Sequence, residues 1–523
     1  MTTVFTDRRP ARSFCPPQAK KILVCLTCMR LARKLLHVFS ASTTLLMLMT
    51  TMSMAAAPKW ITMQNENFHV YSTASERDTR EVLNQFERVR GFFNQFVEAG
   101  AEKPAPVSIV IFGSEKEYQP FRINDFAAAY YTNHGDRDFI VIGVLGEESS
   151  QTASHEYTHL VVRHAGYSLP PWLNEGLAEL YSTLEAAGSE TEFGDVLPGR
   201  LYALNREPWV PLEVILAADQ SSPYYNETKQ AGSLYNESWA LVHMLNTTQK
   251  YRAKFWDVVD AINNGTSSVQ ALVDAYGVSF ITLESELRAY IKGSRFNQLK
   301  MKVKLDDMKM LASQSADMFE VREAQAELLM GLPNKQAEAR TRLEELAHED
   351  AKRFEPWANL GYLAWRAGNP GEAAEHFAKA VELGDRSPRL LMNFAQLAAN
   401  DKPEASVTAL TTLLELEPKN LDARLLLASV QMGQDKFAEA AMTVSEIKSV
   451  KTTQQRDNLL YLRAFAAMRL GYLSESRALA EQLQEVTTSM DFRFRATQIL
   501  HRLDSVNSAE APSRKLKAKR SGT

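Results

Sequence analysis

A chain of 523 residues, 45% of them hydrophobic and 23% charged, is long enough for two or more domains and too apolar for an unfolded tail. Residues 1–55 hold eight Lys or Arg and one Asp, so the overall net charge of −4 leaves −11 beyond them, which argues against a nucleic-acid partner. All three cysteines, Cys15, Cys25 and Cys28, precede residue 56, so the remainder has no disulfides and rests on its packed core.

In chain order, residues 1–55 have the parts of a secretory signal peptide: Arg30, Arg33 and Lys34, an apolar run from Leu35 through Met54, and small residues at Ser53 and Ala55. Cleavage after Ala55 starts the mature chain near Ala56, and Met29 offers an alternative translation start that would remove residues 1–28. The expected location is periplasmic or secreted. If the segment is retained, the protein is instead anchored in the inner membrane facing the periplasm, because the run approaches the ~20 residues of a span, though Ser and Thr interrupt it.

Residues 56–300 alternate strand and helix patterns. Residues 68–71 read as a strand, 75–98 as an amphipathic helix, 107–112 as a buried strand and 139–144 as another. Ser149 and Ser150 then offer the cap of a helix carrying His155-Glu156-Tyr157-Thr158-His159. Residues four apart share a helix face, so His155 and His159 can present two imidazole nitrogens to one Zn2+ ion, with Glu156 beside them. A hydrolytic zinc site takes three protein ligands and leaves one position open. The third is expected from the next helix, opened by Pro170-Pro171, on which Glu175 and Glu179 share a face. Glu175 is the expected ligand and Glu179 the alternative.

With the zinc acidifying a water, Glu156 is the expected general base, taking the water proton and handing it to the leaving amine. The oxyanion needs a further donor. Tyr235, preceding the apolar helix through Ser238-Trp239, is the expected one, and His243 on that helix a weaker candidate.

These residues resemble a known family. His155-Glu156-x-x-His159 together with Trp172-Leu173-Asn174-Glu175-Gly176-Leu177-Ala178-Glu179 is similar to the gluzincin metallopeptidases, in particular the small bacterial peptidase-MA-like group, over residues of about 60 to 295. The resemblance implies a zincin-like α+β metallopeptidase domain in which Glu175 is the third zinc ligand and Glu179 orients a ligating histidine from behind. Relatives carry Tyr-x-x-Ser-Trp where Tyr235 stands. The resemblance also implies that the edge strand preceding the metal helix binds extended peptide, which points to residues 139–143 or 128–132. The connection between the two helices is shorter here than in the aminopeptidase and thermolysin-like branches.

From 318 to 505 the pattern turns to helical pairs. Trp357, Leu360, Gly361, Ala373, Phe377 and Ala380 have the offsets of a tetratricopeptide (TPR) repeat. Leu427, Ala428, Ala440, Val444 and Ile447 repeat them, as do Ala464, Ser476, Ala480 and Leu483. Phe394, Ala395, Ser406, Leu410, Leu413 and Pro418 form a looser copy and 320–347 a degenerate one, giving four or five repeats. Their stacking predicts an all-α TPR-type superhelix whose concave face takes a peptide or a protein partner. Residues 506–523, with a basic run at 514–520, are expected as a disordered tail. Two functions fit: an exported zinc metallopeptidase whose repeats recruit substrate, or a TPR scaffold whose peptidase-like domain binds without cutting. The intact Glu156 favours the first.

Overall fold

The computed structural model describes residues 59–520 apart from 97–105, 125–126, 135–136, 147–148, 188–189, 227, 294 and 303–311. The expected signal peptide and the cysteines lie outside the described residues. Strand β1 (Ile61–Gln64) turns back on β2 (Phe68–Ser72) through Asn65, whose side-chain oxygen accepts from the amides of Asn67 and Phe68, both at 2.8 Å. Helix α1 (Glu76–Phe93), capped by the Ser75 hydroxyl, leads to β3 (Val107–Ile111), which pairs parallel with β2. All five residues of β3 are buried, as a strand covered on both faces requires. Strands β4 (Ala129–His134) and β5 (Arg137–Ile142) form an antiparallel hairpin whose β5 lies parallel to β3. A smaller sheet joins β6 (Glu185–Ala187), β7 (Glu190–Phe193) and β8 (Leu299–Lys302). Strand β9 (Gln314–Ser315) then pairs with β1, giving the larger sheet the order β4-β5-β3-β2-β1-β9.

Period-2 alternation splits this sheet between two cores. Val70, Ile109, Ile111, Ile140 and Ile142 face α1 and helix α2 (Ser149–His164), packing with Leu83, Phe86, Tyr157 and Leu160. Their neighbours Tyr71, Val110, Phe112, Phe139 and Val141 face the opposite way and pack with Val321, Ala324 and Leu328 of the first C-terminal helix, Met318–Gly331. Each layer of the fold therefore buries one side of the same sheet. An ionic joint crosses the second interface: Arg137 of β5 reaches Glu323 at 2.8 Å and Glu327 at 3.1 Å, and Asn359 donates to Glu323 at 3.1 Å. Burial pushes the Glu327 carboxyl up to about 8, against the pull of Arg137 and with the help of Glu323.

Beyond the sheet the chain is helical and paired. Met318–Gly331 pairs with Gln336–Glu349, Glu355–Arg366 with Pro370–Glu382, and Pro388–Ala398 with Pro403–Leu416. Leu421–Gly433 then pairs with Phe437–Ser445 and Thr453–Arg469 with Leu473–Val486, before the final helix Met490–Arg520. Small residues recur where paired helices cross. A Cβ on Gly361 would stand 2.5 Å from the Phe377 ring, and the buried hydroxyls of Ser406 and Ser476 each donate at 2.8 Å to a carbonyl of the partner helix, Ala395 and Ala464. The last helix carries its backbone on through the stretch expected as a disordered tail, to Arg520, where Lys, Arg, Ala and Leu favour helix.

Two expectations about exposed surface change. Residues 139–143 do not form a free edge, because β5 is held between β4 and β3; the edge is β4, which contains the other expected segment. The first helices of the first and third pairs reach the chain's own hairpin, through Arg137 with Glu323 and Glu327 and through Arg389 with Asn133 at 3.3 Å. That side of the early pairs meets sheet rather than standing open.

Helix Thr228–Thr247 carries a buried carboxyl with a measurable consequence. Glu237 accepts the Val210 amide at 2.8 Å through Oε1, its Oε2 has no hydrogen-bond partner, and burial pushes it up to about 7. The unfolded chain releases this proton near the ordinary carboxylate value and the folded chain only near 7, so the native state loses stability as pH rises between the two. Glu237→Gln is expected to match the wild type in urea unfolding near pH 4 and to exceed it by up to about 3 kcal/mol at pH 8. An equal difference at both pH values would show that Glu237 is not strained.

Candidate metal centre

The two halves of the motif come from neighbouring helices. In α2, Ala153, Tyr157 and Leu160 turn into the core, which leaves His155, Glu156 and His159 on the side facing α3 (Pro171–Ser182). Helix α3 starts with Pro171, and the Pro170 carbonyl accepts from the amides of Leu173 and Asn174. It is almost wholly buried, between α2 and the helix Thr228–Thr247. Gly176 permits that packing: a Cβ there would stand 2.4 Å from Val242 Cγ2 and 2.8 Å from the Ser238 carbonyl oxygen. The backbone beside Glu175 is thereby pressed against a rigid neighbour.

His155, His159 and Glu175 converge on one point. His155 Nε2 lies 3.2 Å from His159 Nε2, and Glu175 Oε2 lies 3.4 Å from the first and 3.6 Å from the second. Two ligand atoms bound to a tetrahedral zinc at ~2.0–2.1 Å stand roughly 3.3 Å apart, so the three edges match a metal-sized triangle. Glu175 Oε2 and His159 Nδ1 are buried without a hydrogen-bond partner. Nitrogen, nitrogen and carboxylate oxygen are a donor set suited to zinc. The residues fit the ion.

The electrostatics favour positive charge at the centre. Burial opposes charging His159, but the Glu175 carboxylate overrides it and pushes the imidazole up to about 9. His155 is raised too: burial opposes protonation there as well, and the Glu175 carboxylate 3.4 Å away outweighs it. Burial works against the charge of Glu175, yet the two histidines hold its carboxyl well below the ordinary range. Imidazolium protons or a divalent ion can supply the charge this carboxylate demands.

Glu156, 7% exposed, is no member of the triangle. Burial raises its pKa, and the backbone amide of Tyr131 hydrogen-bonds its carboxylate. That amide belongs to the free edge. The bond from Gly143 N–H to the Ala128 carbonyl, 2.8 Å, sets the phase of the hairpin: residues 128, 130 and 132 bond inward to β5, while Ala129, Tyr131 and Asn133 turn their backbone groups outward. Glu156 and an unpaired strand edge therefore border the same space.

Glu179 lies behind the triangle, 3.9 Å from His155 Nδ1 and gripped by Arg200, which donates at 2.6 Å and 3.3 Å. Arg200 also stands over the Tyr235 ring at 5.3 Å. Tyr235 is close enough to Glu175, Glu156 and Glu179 that their charges add to burial in raising its phenol far above the ordinary value. His243 is not near the chemistry. It is fully buried, its Nε2 is 2.8 Å from the Gly194 carbonyl, and its Nδ1 is 2.7 Å from the Tyr290 hydroxyl, so both nitrogens serve the core. Tyr225 was not expected here. It sits in the short helix Pro223–Asn226 and donates to Glu175 Oε1 at 3.2 Å. A tyrosine in a turn-rich stretch 50 positions from its partner leaves no periodic signal, and neither does Arg200.

No protein-family model matches the chain, and no curated protein does. Solved structures similar to its helical region are TPR proteins. One is YrrB, a TPR protein with an unusual peptide-binding site, at 14% identity over 35% of this chain and 98% of that one, with a TM-score of 0.30. Another is MamA from Desulfovibrio magneticus, at 16% identity over 33% and 98%, with a TM-score of 0.26. A third is TTC0263 from Thermus thermophilus, at 16% identity over 35% and 98%, with a TM-score of 0.23. Likeness at this level says nothing of activity.

Gly176→Ala is expected to cost about 1–3 kcal/mol in urea unfolding and to weaken zinc binding by about tenfold or more in equilibrium dialysis, through displacement of Glu175. Adding Val242→Ala is expected to restore little, since the Ser238 carbonyl remains in the way. Wild-type zinc affinity in Gly176→Ala would show that this contact does not place the ligand.

Proposed function

We propose that this chain is an exported zinc-dependent peptidase whose helical pairs bind its protein substrate or a partner. The observation that carries the reading is the triangle of His155, His159 and Glu175, with edges of 3.2, 3.4 and 3.6 Å, beside a buried carboxylate that does not join it. The three residues would hold the ion. When bound, zinc supplies Lewis-acid chemistry, acidifying a water and polarising a peptide carbonyl.

The rest falls to the chain's own groups. Glu156 takes a proton from the attacking water and passes it to the departing amine, a role that its raised pKa suits. The outward amides and carbonyls of Ala129 and Asn133 align an extended peptide alongside Glu156 by adding it as a strand, while the Tyr131 amide holds the Glu156 carboxylate. Tyr235 is a hydroxyl donor for the oxyanion, kept protonated by burial and by the surrounding carboxylates. Glu179, fixed by Arg200, holds His155 in place.

A second reading is a repeat scaffold that binds a peptide or protein without cutting. The helical stack is the better supported half of the protein, since it is seen throughout, whereas hydrolysis rests on a handful of side chains. Met442 and Phe494 also stand exposed on the later helices, and Leu470 and Tyr472 in the turn between two of them, as a binding surface would have them.

The experiment that separates the readings is digestion of a proteome-derived peptide library by the mature protein, read by mass spectrometry. Glu156→Gln is expected to keep one equivalent of zinc and lose turnover by about 10²–10⁴-fold, and His159→Ala to lose the metal. Full activity in Glu156→Gln would refute the mechanism. A zinc-loaded wild type that cuts nothing would favour the scaffold.

A further inference from the structure

Glu175 has two oxygens with different surroundings. Oε2 faces His155 and His159, at 3.4 and 3.6 Å, and has no hydrogen-bond donor. Oε1 accepts the hydroxyl of Tyr225 at 3.2 Å. A carboxylate can bind an ion through one oxygen or both, and the torsion that swings it between the two is soft. A donor fixed on one oxygen removes that freedom and draws electron density away from the metal side. The carboxylate is also confined from below, since Gly176 is wedged against Val242 and the Ser238 carbonyl.

We propose that Tyr225 is a positioning residue for the metal site, clamping Glu175 through Oε1 and leaving Oε2 as the oxygen that would meet an ion. The inference rests on the metal-site reading above. It adds a side chain from the Pro223–Asn226 helix to a triangle that is itself built from α2 and α3. A hydrogen bond of this kind typically contributes 10–100-fold to metal affinity.

The test uses the full mature chain as wild type, Tyr225→Phe, Glu175→Gln and the double variant. Zinc affinity is measured by competition with a chromophoric chelator, and the visible absorption of the cobalt-substituted protein reports coordination number. Tyr225→Phe, which keeps the ring and its packing, is expected to bind zinc about 10–100-fold more weakly. Its cobalt bands should lose intensity as the second carboxylate oxygen enters. In the Glu175→Gln background the same change is expected to cost less than about threefold, because an amide has no second oxygen that could swing onto the ion. Equal zinc affinity and identical cobalt spectra in wild type and Tyr225→Phe would overturn the role of Tyr225 while leaving the metal site standing. A wild type that takes up neither zinc nor cobalt would overturn the metal-site reading itself, and this inference with it. A loss of affinity as large in Glu175→Gln as in the wild-type background would assign Tyr225 to general packing instead.

Discussion

The close approach of α3 to the helix Thr228–Thr247 sets the geometry on which the candidate site depends. Where Gly176 meets Val242 and the Ser238 carbonyl there is no room for a single methyl group. Helices that touch this closely transmit position rather than cushion it, because packed interiors resist compression. Glu175, one residue before the contact, inherits its place from the backbone, and the two histidines inherit theirs from a single turn of α2. The site is thus fixed by two helix axes and needs no loop to complete the triangle. Around it stand groups that touch these side chains: Arg200 on Glu179, Glu179 behind His155, Tyr225 on the far oxygen of Glu175.

Chemistry-bearing residues were legible where spacing alone brings them together. The pair at 155 and 159 follows from helix periodicity, and the buried strands at 107–111 and 139–142 follow from unbroken apolar runs. Groups that meet through tertiary folding were not legible. Tyr225 and Arg200 lie in connections whose local sequence says only turn and short helix. The free edge illustrates the same limit. Both segments of the hairpin read as strand, but which one is outermost depends on partners far along the chain, and pairing with β3 decides it. His243 shows the converse: a histidine at helical spacing in an apolar run, attractive on paper, whose two nitrogens are spent on Gly194 and Tyr290.

The helical pairs were recognisable because their constraint is local. Gly361, Ala395 and Ala464 must be small where the partner helix presses closest, with a Phe ring or a buried serine hydroxyl opposite, and such pairs recur at a fixed offset. What that pattern could not reveal is what the first pairs pack against. Nothing in a repeat signature says that Glu323 and Glu327 are to meet an arginine from a strand nearly two hundred positions earlier.

That meeting has a consequence for how the protein can be taken apart. Tyr71, Val110, Phe112, Phe139 and Val141 lie on one apolar side of the sheet, and their cover is shared between Trp60, Tyr118 and Phe121 and residues after 315. Cutting the chain between the two regions would leave that side wet, Arg137 without its carboxylates and β1 with an unpaired border where β9 had been. A strand edge and an apolar face exposed together are the ingredients of aggregation. The early helices thus serve as an obligatory wall of the N-terminal fold, and any freedom to vary or to bend belongs to the helices farther along.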